Sequence, residues 1–134
     1  MNMLEKIQKV FDEREIYYFN SNNTQDNLIY VPYRGIKDKD NHIDIYLEIH
    51  EELRIIRFNF IEKVIYKRDD VKSLLLDINA TLNFGSLSIR NDSDLVQYRV
   101  DYQLGDDEFS FEQYKRFIVC CINTYEKLKE ESII

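Results

Sequence analysis

Two histidines, two cysteines and 25 carboxylates are the residues of this chain with reactive chemistry to offer. Metal binding would draw on His42, Asp44, Glu48 and His50, which share one parity of a single alternating stretch. His42 and His50 stand eight residues apart, roughly 27 Å at strand rise, so they do not share an ion. Asp44 and Glu48 would need further ligands from another strand. Redox work would fall to Cys120 and Cys121, but a reactive thiol needs a helix N-terminus or neighbouring cations. These two sit among Phe117, Ile118, Val119 and Ile122, well past the start of a helix, and read as packing residues. The sequence contains no nucleophile elbow, Walker loop, GxGxxG, HExxH or CxxC. A carboxylate pair assembled by folding is the remaining route to a hydrolase, and the abundance of carboxylates is no evidence for one. The expectation is a non-enzymatic protein with no metal and no cofactor.

The aromatic content points elsewhere. Ten tyrosines and eight phenylalanines accompany no tryptophan. Tyr17, Tyr18, Tyr30, Tyr33 and Tyr46 fall at half-exposed strand or strand-edge positions, where large area and a polar tip suit an interface. With Asp44 and Glu48 flanking Tyr46, these residues form the candidate interaction surface. Asn79 is expected to bond backbone near a helix end. Gly85 is expected to permit a close approach or an unusual backbone angle.

The elements that position these residues follow from periodicity. Leu4, Ile7, Val10 and Phe11 predict a short amphipathic helix, and Glu15–Phe19 is β-prone. The polar cluster from Ser21 to Asn27 predicts a turn before an extended Leu28–Tyr33, with Pro32 placing that strand at an edge or its end. His42–His50 is the clearest strand: Ile43, Ile45, Leu47 and Ile49 alternate with polar neighbours, the pattern of an antiparallel sheet wet on one face. Glu51 and Glu52 predict a tight connection into a strand over Leu53–Phe60. Asp69 and Asp70 mark a helix start, followed by the stripe Val71, Leu74, Leu75, Ile78 and Leu82. Phe84–Ile89 and Leu95–Tyr102 form a second hairpin about Asn91–Asp94. Ser110 caps the last helix, with Gln113 closing a capping box and Phe109 stapled to Tyr114. Its stripe is Tyr114, Phe117, Ile118, Cys121, Ile122, Tyr125 and Leu128. The order predicts an α+β fold, α-β(2-4)-α-β-β-α, with helices packed on an antiparallel sheet.

At 134 residues the chain fits one domain, 1–134, able to bury roughly two-thirds of its unfolded surface. Hydrophobic residues make up 44% and only three glycines and one proline occur, so ordered elements with short connections are expected. The net charge of −7 and the lack of clustered Lys and Arg exclude a nucleic-acid partner on the usual electrostatic grounds. The most basic stretch, Lys63–Arg68, is broken by apolar residues and followed by two aspartates. No segment approaches the ~20 apolar residues of a membrane span, and Met1–Lys9 lacks the apolar core of a signal peptide. A cytoplasmic location without membrane partners is expected, and the Asn-x-Ser/Thr triplets at Asn22, Asn79 and Asn91 are then chance matches. The C-terminal Ile133–Ile134 is expected to fray.

From Leu74 to Leu128 the sequence resembles the YbjN-like family, whose fold is that of type III secretion chaperones. The resemblance rests on LLLDINATLNFGSLSIRNDSDLVQYRV and FSFEQYKRFIVCCINTYEKL. Within them stand a helix with Leu75, Asn79 and Leu82, then Gly85 and Leu87, then Val96, Tyr98 and Val100, and a Ser-capped final helix. It implies a protein-binding module, chaperone-like or adaptor, holding a segment of a partner protein. The alternative is a regulatory or sensory domain binding a small ligand between helix and sheet. A homodimer is a further expectation, because Phe111, Tyr114, Phe117 and Ile118 offer more apolar surface than one sheet face covers.

Overall fold

In a computed structural model, residues 1–20, 27–65, 71–90 and 93–134 are described. The expectations for Ser21–Asp26, for Asp69 and Asp70, and for Asn91 and Asp92 lie outside them. Three helices, α1 (Met3–Glu13), α2 (Val71–Thr81) and α3 (Phe111–Glu130), accompany six strands. The strands are β1 (Phe19–Asn20), β2 (Leu28–Arg34), β3 (His42–His50), β4 (Ile55–Lys63), β5 (Ser86–Ile89) and β6 (Leu95–Gln103). They form one antiparallel sheet in the order β1-β2-β3-β4-β6-β5, so the predicted α+β class holds, with four strands before α2.

Alternation decides which face is buried. Ile43, Ile45, Leu47 and Ile49 of β3 are buried together with Ile56, Phe58 and Phe60 of β4 and Val96, Tyr98, Val100 and Tyr102 of β6. α3 lies on this face; its Tyr114, Ile118, Cys121, Ile122, Tyr125 and Leu128 are all buried, as the predicted stripe requires. α1 adds Ile7 and Phe11 of the predicted stripe together with Met3, while Leu4 and Val10 are half-buried at its flank. Ring contacts tie these layers: Phe117 stacks on Phe58 at 5.3 Å and on Tyr102 at 5.0 Å. Phe111 packs on Tyr114 at 5.7 Å and lies under the Arg14 guanidinium at 4.2 Å. The aromatic surplus of α3 is thus absorbed within one chain, which removes the reason to expect a second copy against this helix.

The helix ends are satisfied by backbone geometry that local sequence only half reveals. Asn2 and Glu5 close a capping box on α1, and the Glu51 carboxylate accepts from Met3 and Leu4 N–H at 3.0 Å each. On α3 only half the predicted box forms. Ser110 Oγ accepts from Gln113 N–H at 3.3 Å, while Ser110 N–H donates to Tyr102 Oη at 3.1 Å in place of the Gln113 side chain.

α1 and α3 both end in a Schellman motif. Ile16 N–H reaches Phe11 O at 2.9 Å, and Ile133 N–H reaches Leu128 O at 2.9 Å. The residues in the left-handed position are Glu15 (φ 56) and Ser132 (φ 56), not glycine. Ile133 and Ile134 are buried, and Ile65 N–H donates to Ile133 O at 3.0 Å, so the expected frayed end is instead docked. The motif explains it: the chain reverses at Ser132 and drives the next apolar residue back onto the core. Because the left-handed conformation costs an L-residue roughly 1–2 kcal/mol, Glu15→Gly and Ser132→Gly should each stabilise. The expected gain is about 0.5–1 kcal/mol after the unfolded-state entropy of glycine is set against it. Urea unfolding midpoints that fell in both variants would contradict this.

Two predicted strand starts shift. Glu51–Arg54 form a turn with Arg54 at φ 55, so β4 begins at Ile55 and Leu53 is exposed. β5 begins at Ser86, leaving Phe84 exposed before Gly85, whose φ of 78 turns the chain into the strand. Pro32 lies beyond the pairing of β1 with Ile29 and Tyr30, on the open edge expected for it.

Candidate functional site

With the helices on one face, the other face of the central strands is open. Its residues are fixed by pairing. Phe19 lies opposite Tyr30, Tyr30 opposite Tyr46, Tyr46 opposite Asn59, Asn59 opposite Arg99, and Arg99 opposite Ser86. One continuous row thus crosses all six strands. Its first half is aromatic: Tyr17 meets Phe19 edge-on at 4.9 Å, Phe19 stacks on Tyr30 at 4.5 Å, and Tyr30 meets Tyr46 at 5.7 Å. Phe19 and Tyr30, stacked at the interstrand spacing, stand upright on the sheet and cover one another's faces, while Tyr17 meets Phe19 edge-on and Tyr46 is tilted against Tyr30. They present edges and hydroxyls outward, an arrangement suited to protein groups and poorly suited to stacking bases.

The row beside it is charged. Arg57 of β4 donates to both oxygens of Asp101, at 2.9 and 3.3 Å, and stands 4.0 Å from Glu48. Glu48 also lies 3.6 Å from His50. Asp44 and Arg99 have no ion-pair partner among the described residues. Tyr46, between Asp44 and Glu48 on β3, has its hydroxyl pKa raised by burial and then by Asp44.

The predicted surface is therefore brought together only in part. Tyr17 (69% exposed), Tyr30, Tyr46, Asp44 and Glu48 share the open face. Tyr33 does not, because strand parity groups it with Ile29 and Val31; its hydroxyl meets that of Tyr114 at 2.7 Å on the helix side. Tyr18 also turns away, packing on Phe11 at 5.5 Å and donating to Asp12 at 3.1 Å. Phe19, Asn59 and Arg99 belong to the row and were not singled out by sequence. Asn59 is only 4% exposed although it faces away from the helices, and its amide nitrogen is buried without a partner among the described residues.

The other candidate groups are engaged structurally. Asn79 Nδ2 donates to Leu87 O at 2.9 Å, and its Oδ1 accepts from Leu87 N–H at 2.7 Å. The side chain imitates a neighbouring strand and seals the outer edge of β5. It bonds backbone, as expected, but that of β5. The groove beside it, lined by Lys72, Leu75, Leu76, Leu87 and Ile89, is open and holds about 270 Å³. Burial pushes up the pKa of both cysteine thiols, most strongly at Cys121, so neither is a ready thiolate. Among the described residues no group of three His, Cys, Asp or Glu could hold a metal ion, and no helix is long and apolar enough to cross a membrane.

Glu62, at the end of β4, has its pKa raised mainly by burial, with Lys129 opposing and Asp44 adding to the shift. The folded chain therefore holds this proton more tightly than the unfolded chain. The stability this contributes is complete below the ordinary Glu range and is lost as pH rises through the raised folded value. Glu62→Gln should match the parent near pH ~3 and exceed it at neutral pH. Urea unfolding at the two pH values checks this; an equal difference at both would contradict it.

Six antiparallel strands with three helices on one face define this chain as an α+β protein of the YbjN-like fold, the class its second half resembles. A solved structure shows it directly. YbjN from E. coli, provisionally described as a transcription regulator, superposes with a TM-score of 0.58 at 18% identity, over 97% of this chain and 84% of that one. No family model matches the sequence, and no curated protein matches it.

Proposed function

We propose that this protein is a non-enzymatic protein-binding module, chaperone-like or adaptor in kind, that holds a partner polypeptide against the open face of its sheet. The observation carrying this reading is the in-register aromatic row Phe19, Tyr30 and Tyr46, with Tyr17 edge-on to Phe19, on a face that no helix among the described residues covers. Upright rings give a partner rigid apolar edges at little entropic cost, flanked by hydroxyls that fix orientation. A non-catalytic role is supported by thiols held protonated and by histidines at opposite ends of β3. The groove beside α2 offers a small ligand neither enclosure nor a free polar group at Asn79, so the sheet face is the better-supported site. The YbjN-like fold is consistent with a regulator or a binding module.

A photo-crosslinking phenylalanine analogue placed at position 46 tests the proposal in the native cell. Crosslinking to a polypeptide is expected, and it should disappear when Tyr30→Ala is added. A control analogue at exposed position 53, in the β3–β4 turn, should give no such product. Equal crosslinking from both positions, or none from position 46, overturns the reading.

A further inference from the structure

The ladder between β3 and β4 stops partway along the strands. β3 spans His42–His50 and β4 spans Ile55–Lys63, but they pair only from His50 opposite Ile55 to Tyr46 opposite Asn59. Beyond that point each strand stays in the sheet through its other neighbour. β3 follows β2 to the pair of His42 with Arg34, and β4 follows β6 to the pair of Lys63 with Leu95. The sheet is split between Asp44 and Ile61, the next hydrogen-bonding residues in that register. Parity shows which backbone groups line the split. Ile49 N–H bonds toward the β2 side and Leu104 N–H, after β6, bonds Arg54 O, so even residues of β3 and odd residues of β4 turn their N–H and C=O groups to each other. Those of Asp44 and Ile61 face one another with no hydrogen bond between them.

The tail stands at the mouth of this split. Val64 N–H bonds Asp94 O on the β6 side at 2.8 Å, and Ile65 N–H turns the other way to Ile133 O at 3.0 Å. Ile133 thus takes the lane that β3 would fill beside the end of β4, and Ile133 and Ile134 are both buried in the core. We propose that Ile133 and Ile134 are a wedge: docked, they hold β3 and β4 apart, and on release the strands zip, adding Asp44 with Ile61 and His42 with Lys63 to the ladder. The β2–β3 loop ties the start of β3 to Glu126 of α3, so the end of β4, with β6, is the part that closes. No register shift is needed, because the added pairs continue those already present. Two packings of one seam, each satisfying backbone groups that the other leaves open, make a two-state element. Its state reaches the open face, because Tyr46 and Asn59 are the last pair before the split. A polypeptide that binds the zipped face more tightly releases the tail, and tail release strengthens its binding by the same factor. That link rests on the reading of the open face as a binding surface, whereas the wedge itself does not.

Amide hydrogen exchange in a variant lacking Ile133 and Ile134 separates a wedge from ordinary packing. Loss of two buried residues lowers global stability, so a purely structural role predicts exchange as fast as in the full chain, or faster, at every amide. A wedge predicts the opposite at two places. The Asp44 and Ile61 N–H groups should exchange about tenfold more slowly or better, while those of Glu48 and Arg57, paired in both states, follow the global change. Ile133→Ala keeps the chain length and the bond to Ile65, so it folds where the deletion does not, and it should slow the same two amides by a smaller factor. Circular dichroism confirms the folded state of each variant. Exchange at Asp44 and Ile61 that is unchanged or faster in the folded variants overturns the proposal. The position-46 crosslink reads the binding face independently: its failure removes the partner and leaves the wedge standing.

Discussion

Gly85→Ala should lose about 3–5 kcal/mol of unfolding free energy, a large part of the ~5–15 kcal/mol that holds a domain of this kind together. Two costs add. At φ 78 an alanine sits in the left-handed region, which costs roughly 1–2 kcal/mol. Its methyl carbon would also lie 2.6 Å from Tyr98 Oη, 2.7 Å from Tyr98 Cε1 and 2.7 Å from the Arg99 carbonyl oxygen. The last is backbone of β6, paired on both sides, and cannot retreat. Tyr98 is buried and its hydroxyl donates to Phe84 O at 2.8 Å, so displacing it breaks a bond that anchors the entry to β5. Overpacking of this sort adds about 1–3 kcal/mol. Gly105→Ala is the matched comparison: φ is 59, but nothing lies within 4 Å of the added carbon. It should cost only about 1–2 kcal/mol. Urea unfolding of the two variants that gave equal losses would show that the contact with β6 contributes nothing.

That glycine was marked by sequence as a place of close approach or unusual angle, and both are present. What sequence could not supply was the neighbour. Local periodicity carries strong information where one residue after another obeys it, as in Ile43–Ile49, Val96–Tyr102 and the α3 stripe, and there the predicted buried faces are those observed. It carries little where an element is two residues long. β1 exists because Phe19 and Asn20 find β2, and nothing in Glu15–Phe19 shows which ring will turn outward.

The site divides along the same line. Parity alone places Tyr30 with Pro32 and opposes it to Tyr33, so Tyr33 could have been removed from the predicted surface by counting from Val31. The row from Phe19 to Ser86 is different. It depends on β6 lying against β4 with β5 outside it, and on registers that no single strand encodes. Asn59 is distinguished only by its neighbours on both sides, which its own strand does not encode. The Schellman ends show a third kind of concealment: with Glu15 and Ser132 where glycine is usual, the reversal of the chain leaves no sequence mark.

Glu126→Ala should be the second severe loss, about 3–5 kcal/mol, although glutamate on a helix ordinarily signals a wet surface. The side chain is 3% exposed and its carboxylate accepts three backbone bonds from the β2–β3 loop: Ile36 N–H at 3.1 Å, Lys37 N–H at 2.7 Å and Asp38 N–H at 3.2 Å. The three donors converge as an anion-binding turn, and α3 supplies the anion from within the chain. Removing it leaves donors that the loop has already withdrawn from water, each costing about 1–3 kcal/mol, with partial recovery where solvent can enter. The exposed ion pair of Lys37 with Glu130, at 2.9 Å, is too weak to hold the loop by itself. Glu126→Gln separates charge from shape. The amide keeps the length but offers one acceptor oxygen and turns an NH₂ toward a donor, so it should recover less than half of the loss. Hydrogen exchange at Ile36, Lys37 and Asp38 reads the mechanism directly. In Glu126→Ala these amides should exchange fastest relative to the parent, while those of β3 and β4 follow only the global change in stability. Protection unchanged at the three amides would mean that the loop is held by its own turn, whose Gly35 N–H to Asn41 O bond at 3.0 Å is independent of α3.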